Sequence, residues 1–320
     1  MTTPLTIHIG MNKTGTTALQ KTLHQNRAAL QRAGLLYPKT GLGSRSAGAG
    51  LHYKLSDAFR SGSGGPELAS ALLHEIDGSS AKSAIISSEF FVEVRDVESL
   101  ASALSGRDVR ILVFLRRHDH WVNSLFSQAI KSQASPPWAP NVDAFIDHIR
   151  KNLAHYFVYS RLLKRWADAF GHAAMDVRLY GQDGVTDTVA DVLATFGLDP
   201  KGLSGFRPRG DRVNASPSRR QLAAIDHVQR APYPNSAKVT LVRRILATDD
   251  SDRTRQLMTF ATAQSLLDEH ADDYAAIASR YFDREVLFQE APPMPGGPER
   301  IALWPGEGIT VLGQLLSETV

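Results

Sequence analysis

The first residues whose types and spacing could do chemistry lie in the segment LTIHIGMNKTGTTALQ, at positions 5–20. Gly10 and Gly15 have the separation of the glycines in a nucleotide-phosphate loop, G-x-x-x-x-G-K-[ST]. Thr16 stands where that motif has its lysine, and Lys13 lies two residues before the second glycine. The segment therefore predicts a loop that binds an anion, with its cation moved into the middle of the loop.

The elements on either side of this loop are those that an anion site needs. Alternating polar and apolar residues over 6–9 predict a short strand that ends at Gly10. Apolar residues at helical spacing, Leu19, Leu23, Leu30 and Ala33, predict one helix after the loop. The N–H groups at the start of that helix, with the hydroxyls of Thr16 and Thr17, can donate hydrogen bonds to phosphoryl or sulfuryl oxygens.

The rest of the chain predicts an α/β fold. Compact apolar runs, typical of buried parallel strands, occur at 83–91 and 109–117, and 176–181 is a further candidate strand. Helical patterns fit 97–104, 145–170, 187–197, 217–230 and 254–281. Strands separated by helices predict a P-loop-like, doubly wound parallel sheet flanked by helices, with a helical C-terminal portion. Ligands of such sheets bind at the carboxyl ends of the strands.

We expect a single domain over 1–320. Within it, 1–200 would form the nucleotide-binding α/β core, 201–290 a helical portion and 291–320 a loop-rich tail.

Composition excludes several classes of protein. The chain has no cysteine, which excludes disulfides and thiolate metal sites. A formal net charge of +3, without a basic tract interleaved with aromatic residues, argues against a nucleic-acid partner. No apolar run approaches the roughly 18 residues of a membrane span, so we expect no transmembrane segment. The N-terminal residues lack the features of a secretory signal, so a cytoplasmic location is expected.

The sequence KTGTT after a strand resembles the 5'-phosphosulfate loop of sulfotransferases that use 3'-phosphoadenosine 5'-phosphosulfate (PAPS). The longer stretch IHIGMNKTGTTALQ is similar to the bacterial members and to the carbohydrate sulfotransferases. The resemblance implies PAPS as co-substrate, adenosine 3',5'-bisphosphate (PAP) as product, and no metal. It also implies a set of residues that hold the phosphosulfate: Lys13, Thr14, Gly15, Thr16 and Thr17.

The same resemblance implies a second element, a strand that ends in arginine with a serine eight residues later. ILVFLRRHDHWVNSLFSQ supplies Arg116 and Ser124 at that spacing, for the 3'-phosphate of the donor. An arginine and a hydroxyl offer several charge-assisted hydrogen bonds to a phosphate monoester. Arg117 fits the eight-residue spacing to Ser124 less well than Arg116 does. The histidines of HDH, at 118–120, have no further ligands nearby, so no metal site is expected.

A third element of the resemblance is the segment RPRGDRVNAS at 207–216. It is similar to the basic glycine loop that closes over the 3'-phosphate in these families. Arg209, Gly210 and Arg212 are the residues carried over, although their spacing departs from the usual pattern.

The general base has two candidates. Glu89 lies where the strand within 83–91 should open into the active-site crevice, and related carbohydrate sulfotransferases place a catalytic glutamate at such a strand end. His52 is the alternative, because bacterial relatives carry a similar histidine before a helix. His52 could equally bind substrate.

These residues and the resemblance together predict a sulfotransferase for an acceptor hydroxyl, or alternatively an amine. The acceptor would be a small molecule, a carbohydrate or a glycolipid. Lys13 would balance the charge that develops on the leaving group, and Arg116 with Ser124 would fix the donor for in-line attack. Two alternatives stay open: a non-catalytic protein that binds adenosine bisphosphate, and a metal-dependent kinase that uses ATP on the same fold. The acceptor and the oligomeric state stay open as well.

Overall fold

The computed structural model describes residues 2–43, 50–185, 187–208, 217–248, 256–291 and 313. Arg209, Gly210 and Arg212 lie outside the described residues, as does most of the predicted tail.

The described residues contain one five-stranded sheet. Its strands, in chain order, are β1 (Leu5–Gly10), β2 (Leu35–Leu36), β3 (Ser83–Ser87), β4 (Val109–Leu115) and β5 (Met175–Leu179). They lie in the order β2-β3-β1-β4-β5, and every neighbouring pair is parallel. Helices connect the strands, so the predicted α/β class with a doubly wound parallel sheet is confirmed.

The helices, in chain order, are α1 (Thr16–Gln25), α2 (Arg27–Arg32), α3 (Tyr53–Ser61), α4 (Gly65–Asp77), α5 (Val97–Ala103), α6 (His118–Ser132), α7 (Val142–Asn152), α8 (Tyr159–Phe170), α9 (Thr188–Thr195), α10 (Arg219–Arg230), α11 (Asn235–Ala247), α12 (Phe260–Glu269) and α13 (Ala271–Phe282).

Burial of the central strands explains why the apolar runs form a sheet. All six residues of β1 are buried, and the last five of β4 are buried as well. A strand covered on both faces reads as a continuous apolar run. One core cluster joins strands to α1 and α9, and its buried members include Leu19, Leu23, Ile85, Leu112, Phe114, Val192 and Leu193. The loop between β1 and α1 is therefore anchored at both of its ends.

The predicted helix over 19–33 is wrong in one respect, because it is two helices. Asn26 separates α1 from α2. Its side chain donates to the carbonyl oxygens of Thr22, at 2.9 Å, and of Arg207, at 3.0 Å. It also accepts the N–H of Arg207 at 2.6 Å. A side chain that competes for backbone groups in this way ends a helix.

The strand predicted over 83–91 ends early, at Ser87. Ser88 then accepts the N–H of Phe90 at 3.3 Å and caps a 3-10 helix over Glu89–Glu93. The long amphipathic stretch at 145–170 is likewise divided between α7 and α8. Glu89 therefore begins a tight turn at the carboxyl end of β3, instead of continuing the strand.

The chain divides into two compact units. The first comprises 1–116, 158–211 and 273–289, and it contains the sheet. The second comprises 117–157, 212–272 and 290–320, and its described residues include α6, α7, α10, α11 and α12. The predicted ranges 1–200, 201–290 and 291–320 stay a prediction. In the part of the chain that the structure describes, no helix has the length and apolar character to cross a membrane.

The second unit has an aromatic core of its own. Phe126 on α6 and Trp138 both pack on Phe145 of α7, with ring centroids 5.0 Å apart in each pair. Ser218 and Gln221 form a reciprocal capping box at the start of α10. Such a box satisfies two backbone donors that the first turn of a helix leaves open.

Candidate functional site

Three neighbouring strands bring three of the predicted site residues, Lys13, Glu89 and Arg116, to one edge of the sheet. β1 ends at Gly10, β3 ends two residues before Glu89, and β4 ends immediately before Arg116. Because these strands are parallel and adjacent, their carboxyl ends lie at the same edge. From β1 the chain continues to the β3 side of the sheet, and from β4 to the β5 side. Such a reversal opens a crevice, which is where doubly wound sheets bind ligands.

The loop between β1 and α1 is held in a conformation that favours glycine. Gly15 precedes α1 with φ +83°, and a methyl group added there would lie 2.7 Å from Oγ1 of Thr188. Lys13 also has a positive φ, of 66°, which is unusual for a residue with a side chain. The hydroxyl of Thr188 donates to the carbonyl oxygen of Thr14 at 2.9 Å. The start of α9 thus fixes the loop.

The three threonines of the loop differ in what their side chains can do. Thr14 is fully buried, and its hydroxyl donates to the carbonyl oxygen of Met11 at 2.5 Å. This hydrogen bond braces the loop, so the backbone N–H is the donor that Thr14 can offer a ligand. Thr16 is buried and Thr17 is exposed, both at the start of α1, where N–H groups have no partner within the helix. The loop therefore presents hydroxyl and N–H donors together.

Arg116 contacts the loop directly. Its Nη1 donates to the carbonyl oxygen of Lys13 at 2.8 Å, and its guanidinium lies 5.1 Å from the ring centroid of Tyr180. The hydroxyl of Tyr159, on α8, donates to the carbonyl oxygen of Arg116 at 2.7 Å. Two cationic residues from adjacent strand ends are thus joined by one hydrogen bond. A guanidinium has five donors, so it can hold a loop carbonyl and a phosphate at once.

Glu89 lies beside the same loop. A methyl group added to Gly10 would be 3.4 Å from Cα of Glu89, so the absence of a side chain at Gly10 permits the two backbones to approach. The Glu89 carboxylate is half-buried and accepts a hydrogen bond at 2.6 Å from Nε2 of Gln20, on α1. Burial, and then the negative charge of Glu89, raise the pKa of the Tyr37 hydroxyl. A carboxylate therefore stands at the end of β3, beside the start of the loop that carries Lys13.

His52 is placed differently from Glu89. Its ring is fully buried, and Nδ1 accepts the N–H of Ser87 at 3.2 Å while Nε2 lies 3.2 Å from the carbonyl oxygen of Pro38. Burial lowers the pKa of His52 to about 3. A neutral ring with both nitrogens directed to backbone groups holds the end of β3 in place.

Two further residues of the predicted motif belong to the second unit. Ser124 lies on α6 and is half-buried. Arg117 is 6% exposed, and its guanidinium forms two hydrogen bonds of 2.8 Å with the carboxylate of Asp119. Arg117 therefore has a structural partner within its own unit. Across the described ranges, no group of three or more histidine, aspartate or glutamate side chains could hold a metal ion.

Sequence reasoning did not identify Gln20, Tyr180 and Thr188 as parts of the site. Gln20 follows Thr16 by four residues, a spacing that puts the two on one face of a helix, and that signal was available. Tyr180 comes directly after β5, at the same edge of the sheet. Nothing in the sequence marks Thr188 as the partner of Gly15, because their contact depends on how α9 packs.

The chain was compared with known protein families, protein sequences and solved structures. No family profile matches the chain. An uncharacterized protein of Archaeoglobus fulgidus is 28% identical over 145 residues, which are 44% of this chain and 36% of that protein. The chain thus spans about a third of the length of this curated relative. The crystal structure of a sulfotransferase from Alicyclobacillus acidocaldarius aligns with 18% identity and a TM-score of 0.37, over 77% of this chain and 96% of that one. Neither likeness assigns a role to a residue.

Proposed function

We propose that the protein is a sulfotransferase that moves a sulfuryl group from PAPS to an acceptor hydroxyl. The observation that carries this proposal is the 2.8 Å hydrogen bond from Arg116 to the backbone of Lys13. It joins a loop with the pattern KTGTT to the strand-end arginine that a PAPS site requires. A nucleotide with phosphate groups at both its 5' and 3' positions needs two such cationic points within one crevice.

The residues of the loop fit the sulfate end of the donor. Glycines at 10 and 15 let the loop pass close to Glu89 and Thr188. The start of α1 offers N–H donors and a partial positive charge. Thr16 and Thr17 add hydroxyls, and Lys13 adds a full charge. Lys13 is held in the left-handed region, a strain typical of ligand-binding loops.

The other end of the donor is assigned to Arg116, and Ser124 keeps the role that the resemblance implies for it. Arg116 is half-buried and stacks near Tyr180, which limits the movement of its guanidinium. A planar guanidinium can form paired hydrogen bonds with a phosphate, which a lysine cannot do. Arg209, Gly210 and Arg212 keep their predicted role, as the loop that closes over the 3'-phosphate.

We assign the general base to Glu89. The acceptor oxygen would form a bond to sulfur as the bond between sulfur and the 5'-phosphate oxygen breaks. Glu89 would take the acceptor proton, and Lys13 would balance the negative charge that grows on the leaving phosphate oxygen. PAP leaves with the electron pair of the broken bond, so no metal or redox partner is needed for balance.

The contrast between Glu89 and His52 supports this assignment. Glu89 is half-buried at the strand end, whereas His52 is fully buried with both ring nitrogens directed to backbone groups. A base must reach a proton on a bound substrate, directly or through one water. We therefore give His52 a positioning role, through the N–H of Ser87.

The acceptor class rests on the resemblance alone, which favours a carbohydrate or glycolipid hydroxyl. A mass-spectrometric screen tests it: the protein and PAPS are incubated with glucose, N-acetylglucosamine, octyl glucoside and p-nitrophenol. We expect a gain of one sulfate on a sugar or on the glycolipid mimic, with release of PAP.

Three other outcomes would each redirect the proposal. Sulfation of p-nitrophenol alone would keep the reaction and overturn the carbohydrate class. Tight PAP binding without transfer to any acceptor would favour a non-catalytic nucleotide-binding protein. Magnesium-dependent turnover of ATP would favour the kinase alternative.

A further inference from the structure

The side chain of Gln20 lies between the loop and the candidate base. Gln20 belongs to the second turn of α1 and is 1% exposed. An amide buried to this extent costs free energy unless it forms hydrogen bonds. Its Nε2 donates to Oε2 of Glu89 at 2.6 Å.

This hydrogen bond constrains the carboxylate. Glutamate has three rotatable side-chain bonds, so a half-buried glutamate at a strand end can adopt several rotamers. A donor from a rigid helix selects one of them, and a bond to an ionised carboxylate is stronger than one between neutral groups. Gln20 uses one acceptor position of Oε2, so the oriented carboxylate keeps lone pairs that can accept a proton.

The same helix carries the donor loop. Thr16 and Gln20 are four residues apart on α1, which corresponds to about 6 Å along the helix axis. α1 is fixed in the core by Leu19 and Leu23, both fully buried. A shift of the loop would therefore move Gln20, and with it the oxygen of Glu89.

We infer that Gln20 is a positioning residue for the proposed reaction: it sets the orientation of Glu89 relative to the phosphosulfate loop. The inference rests on the proposed function. It goes beyond that function in naming the group that links donor binding to the base.

The first test needs no activity. In 15N-labelled protein without donor, the side-chain amide resonance of Gln20 is assigned by its loss in Gln20→Met. We expect that resonance to move in Glu89→Ala, because its acceptor is removed, while the amide of exposed Gln31 does not move. An unchanged Gln20 resonance would contradict the hydrogen bond itself.

The second test measures the effect on turnover. Gln20→Met keeps the length of the side chain and removes the donor. With PAPS and the sugar that is most sulfated by the unmutated protein, we expect kcat to fall about 10- to 100-fold, the range for a hydrogen bond to a charged group. The PAP dissociation constant and the KM of the sugar should change less than about 3-fold. Gln31→Met, at an exposed position of α2, is the matched control.

A double-mutant cycle distinguishes loss of Glu89 positioning from a general disturbance of the fold. In a Glu89→Gln background, adding Gln20→Met should cost less than about 2-fold in kcat, because the carboxylate that Gln20 positions is gone. Full additivity of the two losses would overturn the inference and leave the sulfotransferase proposal standing. An unmutated protein that neither binds PAP nor transfers sulfate would overturn both.

Discussion

Two adjacent arginines lie in regions of opposite character. Arg116 is half-buried, and its guanidinium reaches the backbone of Lys13 in the anion loop. Arg117 is 6% exposed and is held by the carboxylate of Asp119 and by the carbonyl oxygens at 290 and 291. The first region is the sheet edge of one unit, and the second is the start of α6 in the other.

The difference teaches how to separate ligand-binding cations from structural ones. A buried guanidinium with a bidentate carboxylate has its charge neutralised within the protein, and losing it leaves an uncompensated carboxylate. A guanidinium that braces a glycine loop adds positive potential at a crevice. We therefore expect changes at the sheet edge to affect binding and turnover, and changes in the Arg117 region to affect stability.

The largest expected effect is at Glu89. Glu89→Gln keeps the size of the side chain and removes the base, so kcat for sulfate transfer should fall about 10²- to 10⁴-fold. PAP binding should persist, since the loop and Arg116 are intact. The measurement is PAP release beside titration calorimetry with PAP. Unchanged turnover would show that another residue is the general base.

Next in size is the loss of the structural arginine. Arg117→Ala should lower the free energy of unfolding by about 3–5 kcal/mol, because Asp119 is left buried and unpaired. Urea unfolding measures this, and Asp119→Ala in the same chain should recover part of the loss. The folded fraction should keep its PAP affinity. A stable protein with weakened PAP binding would reverse the roles of the two arginines.

The matching change at the sheet edge is Arg116→Ala. We expect PAP affinity to fall about 10- to 100-fold, the loss of charge-assisted hydrogen bonds to phosphate. Unfolding should change less than in Arg117→Ala, because Arg116 is only half-buried. Calorimetry at constant salt is the measurement, since screening weakens such contacts. Equal PAP affinity before and after the change would remove Arg116 from the site.

A smaller effect is expected from Gly15→Ala. The φ of +83° and the 2.7 Å approach to Thr188 should together destabilise the protein by about 1–3 kcal/mol and displace the loop. Gly184→Ala is the matched control: its φ is also +83°, and nothing lies within 4 Å of an added methyl group. The difference between the variants isolates the contact with Thr188. If both behave alike, that contact is unimportant.

The smallest effect, counted per pH unit, is a pH dependence. The pKa of His52 is lowered to about 3, against an unfolded value of 6.5, so below pH 6.5 the unfolded chain binds a proton that the folded protein excludes. Stability should therefore fall as the pH decreases from about 6.5 towards 3, with His52 contributing about 1.4 kcal/mol per pH unit. His8, with a pKa of about 3, should contribute similarly.

The test compares His52→Asn with the unmutated chain in urea unfolding between pH 6 and pH 4. His52→Asn should make the slope shallower by about 1.4 kcal/mol per pH unit. An unchanged slope would show that His52 is not the source.

Sequence reasoning reached the fold class and the strands because their signals are local. The apolar runs around β1, β3 and β4 survive as strands, since each is buried. β2, α4 and α11 were not predicted, because a two-residue strand and helices without a sharp pattern depend on tertiary packing. The break at Asn26 was missed for the same reason, since its partner Arg207 is distant in the chain.

The candidate site could be predicted from the sequence only in part, like the fold. Adjacent parallel strand ends made the proximity of Lys13, Arg116 and Glu89 predictable in principle, because the sheet order determines it. The side chains that hold the loop and Glu89 in place could not be predicted. Thr188 contacts the loop and Gln20 contacts Glu89 only because of how the helices pack. The environments of His52 and Arg117 depend on burial, which a single sequence does not specify.

The most direct test of the central claim is calorimetric titration of PAP into the unmutated protein, Lys13→Ala and Arg116→Ala. The account predicts one site per chain in the unmutated protein and at least about 10-fold weaker binding in each variant, since both cations serve one nucleotide. No binding to the unmutated protein, or binding that neither substitution weakens, would contradict the account.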